Sequence, residues 1–203
     1  MSASEIPHVT VRDRLFRTAL SAFAEHGYAE VSVDEIVRDA GTTKPMLYYY
    51  FGSKAGLYQA IAEECFGILR AAQARAADQT LPALERLRVF VRANFLAMRE
   101  NPSLARFIYR AAYSPSREVP AIDYWQLFTP SFTMVIAIVE AGQREGLIAP
   151  GPAPTLALPL FGLISIWAQV QMGGQIDVTG GMLDDAQSEQ VVQLFLNGVA
   201  ARQ

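Results

Sequence analysis

The sequence predicts an all-α fold. Apolar residues recur at helical spacing in almost every long segment, and prolines and glycines separate these segments. Convincing alternation of apolar and polar residues, which is typical of half-buried strands, is absent. With 203 residues, of which 51% are hydrophobic, the chain is long enough to bury a substantial core in one or two domains.

The composition narrows the class of protein. The formal net charge is −3, so any contact with nucleic acid has to depend on a local patch. The chain has one cysteine, Cys65, and its two histidines, His8 and His26, lie too far from it for a zinc-binding spacing. The N-terminal stretch carries Glu5 and Asp13 where a secretory signal needs a basic start and an apolar run. We therefore expect a cytoplasmic protein with no metal and no cofactor.

The first two helices are marked by their caps. Thr10 can accept a hydrogen bond from a free amide at the start of a helix, and Gly27 is a natural left-handed stop. The next helix begins with the Ser-x-x-Glu capping box of Ser32 and Glu35. It is predicted to be about two turns long and to end at Gly41.

A third, short helix is predicted to follow across a tight turn. Thr43 is expected to cap it, and Lys44 and Pro45 occupy its first turn, where the missing amide proton of proline costs little. The helix extends to about Tyr50. Ser53 is then expected to cap a much longer helix.

The rest of the chain predicts a larger helical domain. Its helices are separated by breaks that include residues 114–116 and the glycine-rich stretch 173–181. Thr129 before Pro130 is interpreted as a cap with proline at the first helical position, so that Pro130 is not expected inside a helix. The last two helices are placed at about residues 154–172 and 184–201.

Two short helices joined at Gly41 match the helix-turn-helix plan, in which the second helix enters the major groove of DNA. The stretch FAEHGYAEVSVDEIVRDAGTTKPMLYYYFGSKAGLYQAI resembles the N-terminal DNA-binding region of the TetR/AcrR family of transcriptional regulators. The residues that carry the resemblance are Gly27, Tyr28, Ser32, Ala40, Gly41, Leu47, Tyr48, Phe51, Ser53 and Lys54.

The resemblance implies a homodimer whose two recognition helices meet successive major grooves of a palindromic operator. Members of this family are more often repressors, and a small inducer bound to the C-terminal domain releases the operator. Residues 1–55 would form the helix-turn-helix DNA-binding domain, and residues 56–203 would form a helical domain for ligand binding and dimerisation.

The family motif also indicates which residues would contact DNA. The first turn of the third helix would face bases or nearby phosphates, its tyrosines would contact the backbone and sugar edges, and the lysine after it would clamp a phosphate. Ser32 would cap the second helix and could also reach a phosphate. The expected DNA-binding residues are Ser32, Thr43, Lys44, Met46, Tyr48, Tyr49 and Lys54. Pro45 and Tyr50 depart from the family pattern and leave the operator sequence open.

The charge of the N-terminal region limits how it binds DNA. Residues 1–60 contain six Lys or Arg and seven Asp or Glu, so this region is slightly acidic. The window 42–54 contains two lysines and no acidic residue. Affinity is expected to depend on that window and on arginines at the start of the first helix, and non-specific binding is expected to be weak.

The C-terminal two thirds are rich in aromatic residues, which either line an apolar ligand pocket or form ordinary core. Arg106 and Tyr109 are helical neighbours that could grip an anionic or hydroxylated ligand, unless Arg106 is a solvated surface charge. The expected ligand-binding residues are Arg106, Tyr109, Tyr113, Trp125, Phe128, Phe132 and Trp167.

The last two helices are more apolar than a monomer needs for one buried stripe. By resemblance they would form the dimer interface, and the alternative is an internal hairpin. The most apolar stretch, residues 156–172, is shorter than an uninterrupted membrane span and ends in polar residues. We expect it to be a buried helix, with no membrane as partner.

Two other classes of function remain as alternatives. An enzyme would need a convergent acid–base or nucleophile set, and Glu140, Arg144 and Glu145 indicate only a charged helix end. A module that docks a protein through its aromatic helix would bind its partner independently of DNA and salt. We expect a regulator and not an enzyme.

Overall fold

The structure is a computed structural model that describes residues 10–113, 119–173 and 184–199, apart from the side chains of residues 112, 113 and 171–173. The predicted break at 114–116 lies outside these residues, as does the predicted break at 173–181 apart from Gly173, which ends a helix. The described part of the chain forms α-helices and one short 3₁₀ helix, which confirms the all-α prediction. The helices are α1 (Val11–His26), α2 (Val33–Asp39), α3 (Lys44–Phe51), α4 (Lys54–Gln73), the 3₁₀ helix (Ala74–Ala77), α5 (Ala83–Glu100), α6 (Pro102–Tyr113), α7 (Tyr124–Arg144), α8 (Ala153–Gly173) and α9 (Asp185–Val199).

The helices belong to two compact units. The first unit contains α1 to α3, α4 up to Glu64, and α6 from Arg106 onward. The second contains the remainder of α4 from Cys65, the 3₁₀ helix, the first part of α6, and α5, α7, α8 and α9. The chain therefore passes between the units within α4 and within α6. The functional boundary after residue 55 stays a prediction.

The core of the first unit contains a chain of aromatic rings. Phe23 of α1 lies 5.2 Å from Tyr58 of α4, measured between ring centroids, and Tyr28 lies 5.1 Å from the same ring. Tyr58 in turn lies 4.9 Å from Phe107 of α6. Phe23, Tyr58 and Phe107 are buried, so this group joins three helices by apolar and ring–ring contact.

The predicted caps of α1 and α2 are confirmed. The side-chain oxygen of Thr10 accepts a hydrogen bond from the amide of Asp13, and Gly27 ends α1 with a φ of 86°. Ser32 and Glu35 form the expected capping box at the start of α2. With a φ of 86° and a ψ of 169°, Gly27 lies outside the αL region, in backbone space that is open almost only to glycine, which explains why glycine suits this stop.

The predicted capping bond of Thr43 is wrong. Thr43 occupies the N-cap position of α3, but its side chain makes no cap hydrogen bond. Of the two amides that a cap normally binds, one is absent because Pro45 has no N–H. The other belongs to Met46, and it donates to the backbone carbonyl of Thr43 at 3.1 Å.

The interpretation of Pro130 as the first residue of a helix is also wrong, because Pro130 lies inside α7. Asp123 supplies an earlier cap, and its Oδ1 accepts from the amide of Gln126 at 2.9 Å. A proline inside a helix removes one backbone hydrogen bond and crowds the preceding turn. In that turn the hydroxyl of Thr129 donates to the carbonyl of Trp125 at 2.7 Å, which supplies a local hydrogen bond next to the interruption.

Helix α8 is buried on one side only. Its segment Ala153–Val170 is long and apolar enough to cross a membrane, with a mean hydropathy of 1.5, yet only 28% of that segment is buried. Leu158 and Ile166 are exposed, as is Leu194 on α9. The expectation of a buried helix is therefore wrong for the side of α8 that carries Leu158 and Ile166.

A polar network lies inside the second unit. The side-chain amide of Gln73 donates to Asn94 Oδ1 at 3.0 Å, and the hydroxyl of Ser131 donates to Gln73 Oε1 at 2.6 Å. Asn94 also donates to the carbonyl of Phe90 at 2.8 Å. All three polar side chains are buried, so α4, α5 and α7 are held together by hydrogen bonds that water cannot replace.

We predict that Ser131→Ala lowers the free energy of unfolding by about 1–3 kcal/mol, because it leaves the buried Gln73 Oε1 without its donor. Thr129→Ala is the matched control, since it removes a hydroxyl from an exposed site on the same helix and should cost less than about 0.5 kcal/mol. Urea unfolding at constant protein concentration measures both. Equal losses in the two variants would contradict the buried network.

Candidate nucleic-acid interface

Helix α3 presents most of its side chains to solvent. Leu47 is completely buried and anchors the helix. Tyr48 and Tyr49, the next two residues, are 48% and 78% exposed. At the N-terminal end, Lys44 and Pro45 are exposed as well. The helix therefore offers an accessible first turn and two accessible phenol rings on a fixed support.

The turn between α2 and α3 is fixed by α1. The guanidinium of Arg14 donates to the carbonyl of Ala40 at 3.0 Å, at the C-cap of α2. Gly41 then adopts a φ of 60°, and the amide of Thr42 donates back to the carbonyl of Val37 at 2.9 Å. Because a side chain and two backbone groups hold this turn, the direction of α3 relative to α1 and α2 is well defined.

Cationic side chains lie at both ends of α3. Lys44 Nζ forms an ion pair with Asp34 Oδ1 at 2.9 Å, and this hydrogen bond raises the pKa of the lysine. At the other end, the Arg12 guanidinium lies 5.5 Å from the centre of the Phe51 ring. Positive charge next to exposed phenols suits contact with phosphate and sugar.

Lys54 follows the recognition helix and is half-buried. Its ammonium lies 4.2 Å from the centre of the Tyr28 ring, within the range of a cation–π interaction. Burial raises the pKa of Tyr28, so this ring remains neutral over the physiological range. The ring therefore positions the lysine without neutralising its charge.

The hydroxyl of Ser32 is engaged in the hydrogen bonds of the capping box. Its hydroxyl accepts from the amide of Glu35 at 3.2 Å and donates to Glu35 Oε2 at 2.9 Å. The hydrogen bonds from the backbone and hydroxyl of Ser32 lower the pKa of the Glu35 carboxyl. A phosphate contact through this hydroxyl would have to replace the bond to the carboxylate.

An exposed helix of this kind, held by one buried leucine and flanked by cations, has the geometry of a recognition helix. Sequence comparison gives the same result: the model for bacterial regulatory proteins of the tetR family matches residues 15–61. The HTH-type transcriptional repressor SCO4008 of Streptomyces coelicolor is 26% identical over 191 residues, which cover 90% of this chain and 93% of that protein. The chain belongs to the TetR family of transcriptional regulators.

Other relatives differ in how much of their length is matched. The HTH-type transcriptional activator FasR of Mycolicibacterium smegmatis is 30% identical over 118 residues, which cover 58% of this chain and 54% of FasR. The chain thus matches about half the length of that activator. A solved structure of a tetR-family regulatory protein from Rhodococcus RHA1 superposes with a TM-score of 0.76 at 22% identity, covering 96% of this chain and 99% of that one. At this identity the likeness establishes the TetR fold alone.

The TetR-type interface brings most of the expected DNA-binding residues onto one short helix. Lys44, Tyr48 and Tyr49 are exposed on α3, Thr43 is exposed at its N-cap, and Met46 is half-buried. Tyr50, whose role the sequence leaves open, lies edge-on to Tyr49 with ring centroids 5.0 Å apart.

Two residues at this interface were missed among the predicted site residues. Nothing in the sequence singles out Asp34 as a site residue, because acidic residues are common in the first turn of a helix. Arg12 belongs to the arginines expected to help at the start of α1, but only the packing of α1 on α3 places it beside Phe51. Both depend on contacts between helices, which local sequence patterns do not specify.

The expected ligand-binding residues are divided between the two compact units. In the first unit Arg106 is exposed and Tyr109 is half-buried, while the side chain of Tyr113 lies outside the described residues. In the second unit Trp167 is half-buried on α8.

An aromatic cluster forms around Phe128 in the second unit. Phe128 and Phe132 stack with centroids 5.8 Å apart, and Trp125 lies 5.7 Å from Phe128. Phe161 of α8, which the prediction missed, lies 4.7 Å from Phe128 and 5.9 Å from Phe90. Trp125 is 61% exposed, so the cluster extends from the core to the surface.

Proposed function

We propose that this TetR-family chain is a cytoplasmic repressor that binds a palindromic operator as a homodimer and leaves it when a small, largely apolar ligand binds. The observation that carries the proposal is the geometry of α3, which exposes Tyr48 and Tyr49 while the buried Leu47 anchors it. Two such helices would enter successive major grooves, about 34–36 Å apart. The curated relatives include an activator and a repressor, so the sign of regulation is part of this proposal.

The proposed contacts follow the exposed positions. Thr43, Lys44 and Met46 would face base edges or nearby phosphates from the first turn of α3, where free amides also favour phosphate. The tyrosine phenols and Lys54 would contact the backbone, and Ser32 would reach a phosphate from the start of α2. These contacts are local, which suits a chain with a net charge of −3.

A second copy of the chain is proposed to cover the exposed side of α8 and α9. Leu158, Ile166 and Leu194 are each more than half exposed. Isolated apolar side chains on a surface need no explanation, but three on two neighbouring apolar helices indicate an interaction surface. Because the related proteins are transcriptional regulators, we assign this surface to a partner protomer and not to a membrane, and we assign no enzymatic activity to the chain.

The effector is proposed to bind within residues 56–203, the proposed ligand-binding and dimerisation domain. The cluster of Trp125, Phe128 and Phe132 supplies an apolar surface that reaches solvent. Trp167, in the same compact unit, would add further apolar contact. Arg106, Tyr109 and Tyr113 belong to the first unit, and their role as polar handles for a ligand stays a prediction. Residues 1–55 would be the DNA-binding domain. Helix α4 would transmit the effect, because it begins two residues after Gly52 and ends at the buried Gln73.

We predict that Tyr49→Ala weakens binding to an operator selected from random duplex DNA by about 10- to 30-fold, because each of the two recognition helices loses a contact of about 1 kcal/mol. Tyr49 is 78% exposed, so the melting temperature should not change. Gln59→Ala, at an exposed position of α4 in the same unit, is the control. If Tyr49→Ala binds the operator as tightly as Gln59→Ala does, the proposed role of α3 is wrong.

We predict that Ile166→Glu converts the dimer to a monomer, with association at least about a hundredfold weaker, because it places an unpaired charge in the covered surface. The side chain is exposed in the protomer, so the protomer should still fold. Leu96→Glu, at an exposed leucine on α5, should leave the dimer intact. Sedimentation velocity distinguishes the two, and a dimeric Ile166→Glu protein would place the interface elsewhere.

We predict that apolar metabolites which raise the melting temperature by about 3 °C or more also release the operator. The physical reason is that a ligand which binds the operator-free conformation better than the operator-bound one weakens operator binding by the same factor. Phe128→Ala should reduce both effects because Phe128 contacts Trp125, Phe132 and Phe161. Parallel thermal-shift and operator-binding measurements test this. A metabolite that stabilises the protein while the operator complex persists would argue against coupling.

A further inference from the structure

One ion pair joins the first turns of the two helices of the helix-turn-helix. Asp34 is the second residue of α2, after the cap at Ser32, and Lys44 is the first residue of α3. The ammonium and Oδ1 are 2.9 Å apart, and the side chains remain 47% and 72% exposed for Lys44 and Asp34 respectively. The ion pair is therefore formed, and both of its side chains remain accessible to DNA.

The two partners keep hydrogen-bonding capacity beyond their mutual bond. A lysine ammonium has three N–H donors, and the bond to Asp34 uses one of them. A carboxylate has about four lone-pair sites for hydrogen bonds. The pair thus presents a donor and an acceptor side by side at the first turn of the recognition helix, where base edges are contacted.

A G·C base pair presents the complementary pattern in the major groove. Guanine offers O6 and N7 as acceptors, and cytosine offers the N4 amino group as a donor. Guanine O6 and cytosine N4 are hydrogen-bonded to each other and so lie about 3 Å apart. This spacing matches the 2.9 Å between Lys44 Nζ and Asp34 Oδ1.

We propose that Asp34 and Lys44 act as one unit that selects a G·C pair in each operator half-site. Lys44 donates to guanine O6 or N7, and Asp34 accepts from cytosine N4. This inference rests on the proposed DNA binding and adds Asp34 as a specificity-determining residue. The ion pair persists in the complex, and each partner orients the other toward its base.

The same chemistry disfavours the other base pairs. With adenine in place of guanine, the N6 amino group replaces the O6 acceptor and thymine O4 faces the carboxylate. Lys44 then keeps only adenine N7 as an acceptor, and the contact of Asp34 is lost. Exchanging guanine and cytosine places the N4 amino group opposite the ammonium, donor against donor, and guanine O6 opposite the carboxylate. A T·A pair retains O4 and N6, but thymine has no N7 and carries a methyl group, so it ranks second.

Asp34 also reduces attraction to DNA in general. Its charge lies beside Lys44 and repels nearby phosphates, so on random duplexes the lysine contributes little counterion release. Asp34→Ala removes this charge and its acceptor oxygens from both protomers. Its binding to random duplex should therefore become stronger and more dependent on salt, while its preference for one base pair should decrease.

The first experiment selects duplexes from a random pool with the wild type, Asp34→Ala, Lys44→Met and the control Asp39→Ala. Asp39 pairs with the neighbouring Arg38 at 2.8 Å, so its substitution removes the same charge from the same helix. Wild type and Asp39→Ala should select G·C at one position of each half-site, by about tenfold over A·T. Asp34→Ala, which lacks an acceptor, and Lys44→Met, which lacks a donor, should lose that preference while their melting temperatures stay close to that of the wild type.

The second experiment replaces the selected cytosine by N4-methylcytosine, with the methyl group in place of the groove-facing N4 proton. Binding of the wild type should weaken about fivefold per half-site, whereas binding of Asp34→Ala should not change. If Asp34→Ala selects the same base at every position as the wild type does, the proposed base selection is wrong. If the wild type selects no sequence at all, the proposed operator binding fails instead.

Discussion

The candidate interface depends on the burial of one side chain, Leu47. An eight-residue helix such as α3 is too short to be stable by itself in water, so tertiary contacts have to supply its stability. Leu47 is completely buried, and the hydrogen bond from Arg14 to the carbonyl of Ala40 fixes the turn that leads into α3. Because a single buried residue anchors the helix, the neighbouring positions are left for recognition. Tyr48 and Tyr49 are exposed because Leu47 alone anchors the helix.

Polar contacts, in place of an apolar anchor, hold the C-terminal end of α4. Gln73, the last residue of α4, is buried and hydrogen-bonded to Asn94 and Ser131. Apolar contacts tolerate small shifts of one helix along another, whereas a buried hydrogen bond is lost within a fraction of an ångström and leaves a polar atom without a partner. A network of this kind therefore favours discrete positions of α4. In the proposed function, α4 would carry the effect of a ligand by changing between two such positions.

The sequence predicts those features that depend on local chemistry. The caps at Thr10 and Ser32 and the stop at Gly27 follow from residues within one turn of each other. The interpretation of Pro130 was wrong because the proline signal is the same at a helix start and inside a helix, and only the earlier cap at Asp123 decides between them. Lys44 could be proposed from the motif, but its ion pair with Asp34 depends on how α2 packs on α3, which no local pattern specifies.

A regulator with this charge has to obtain specificity from few contacts. A strongly basic domain would bind any duplex, because counterion release does not depend on sequence. Here the first 60 residues are slightly acidic, and Asp34 lies directly beside a cation at the recognition helix. General attraction is therefore low, and base contacts decide where the protein binds. In the proposed dimer, two protomers would contact two half-sites, and because the energies of separate positions add, a tenfold preference in each half-site would become about a hundredfold for the dimer. Symmetry thus multiplies a modest local preference into useful discrimination, provided that the dimer holds both recognition helices at the spacing of the operator.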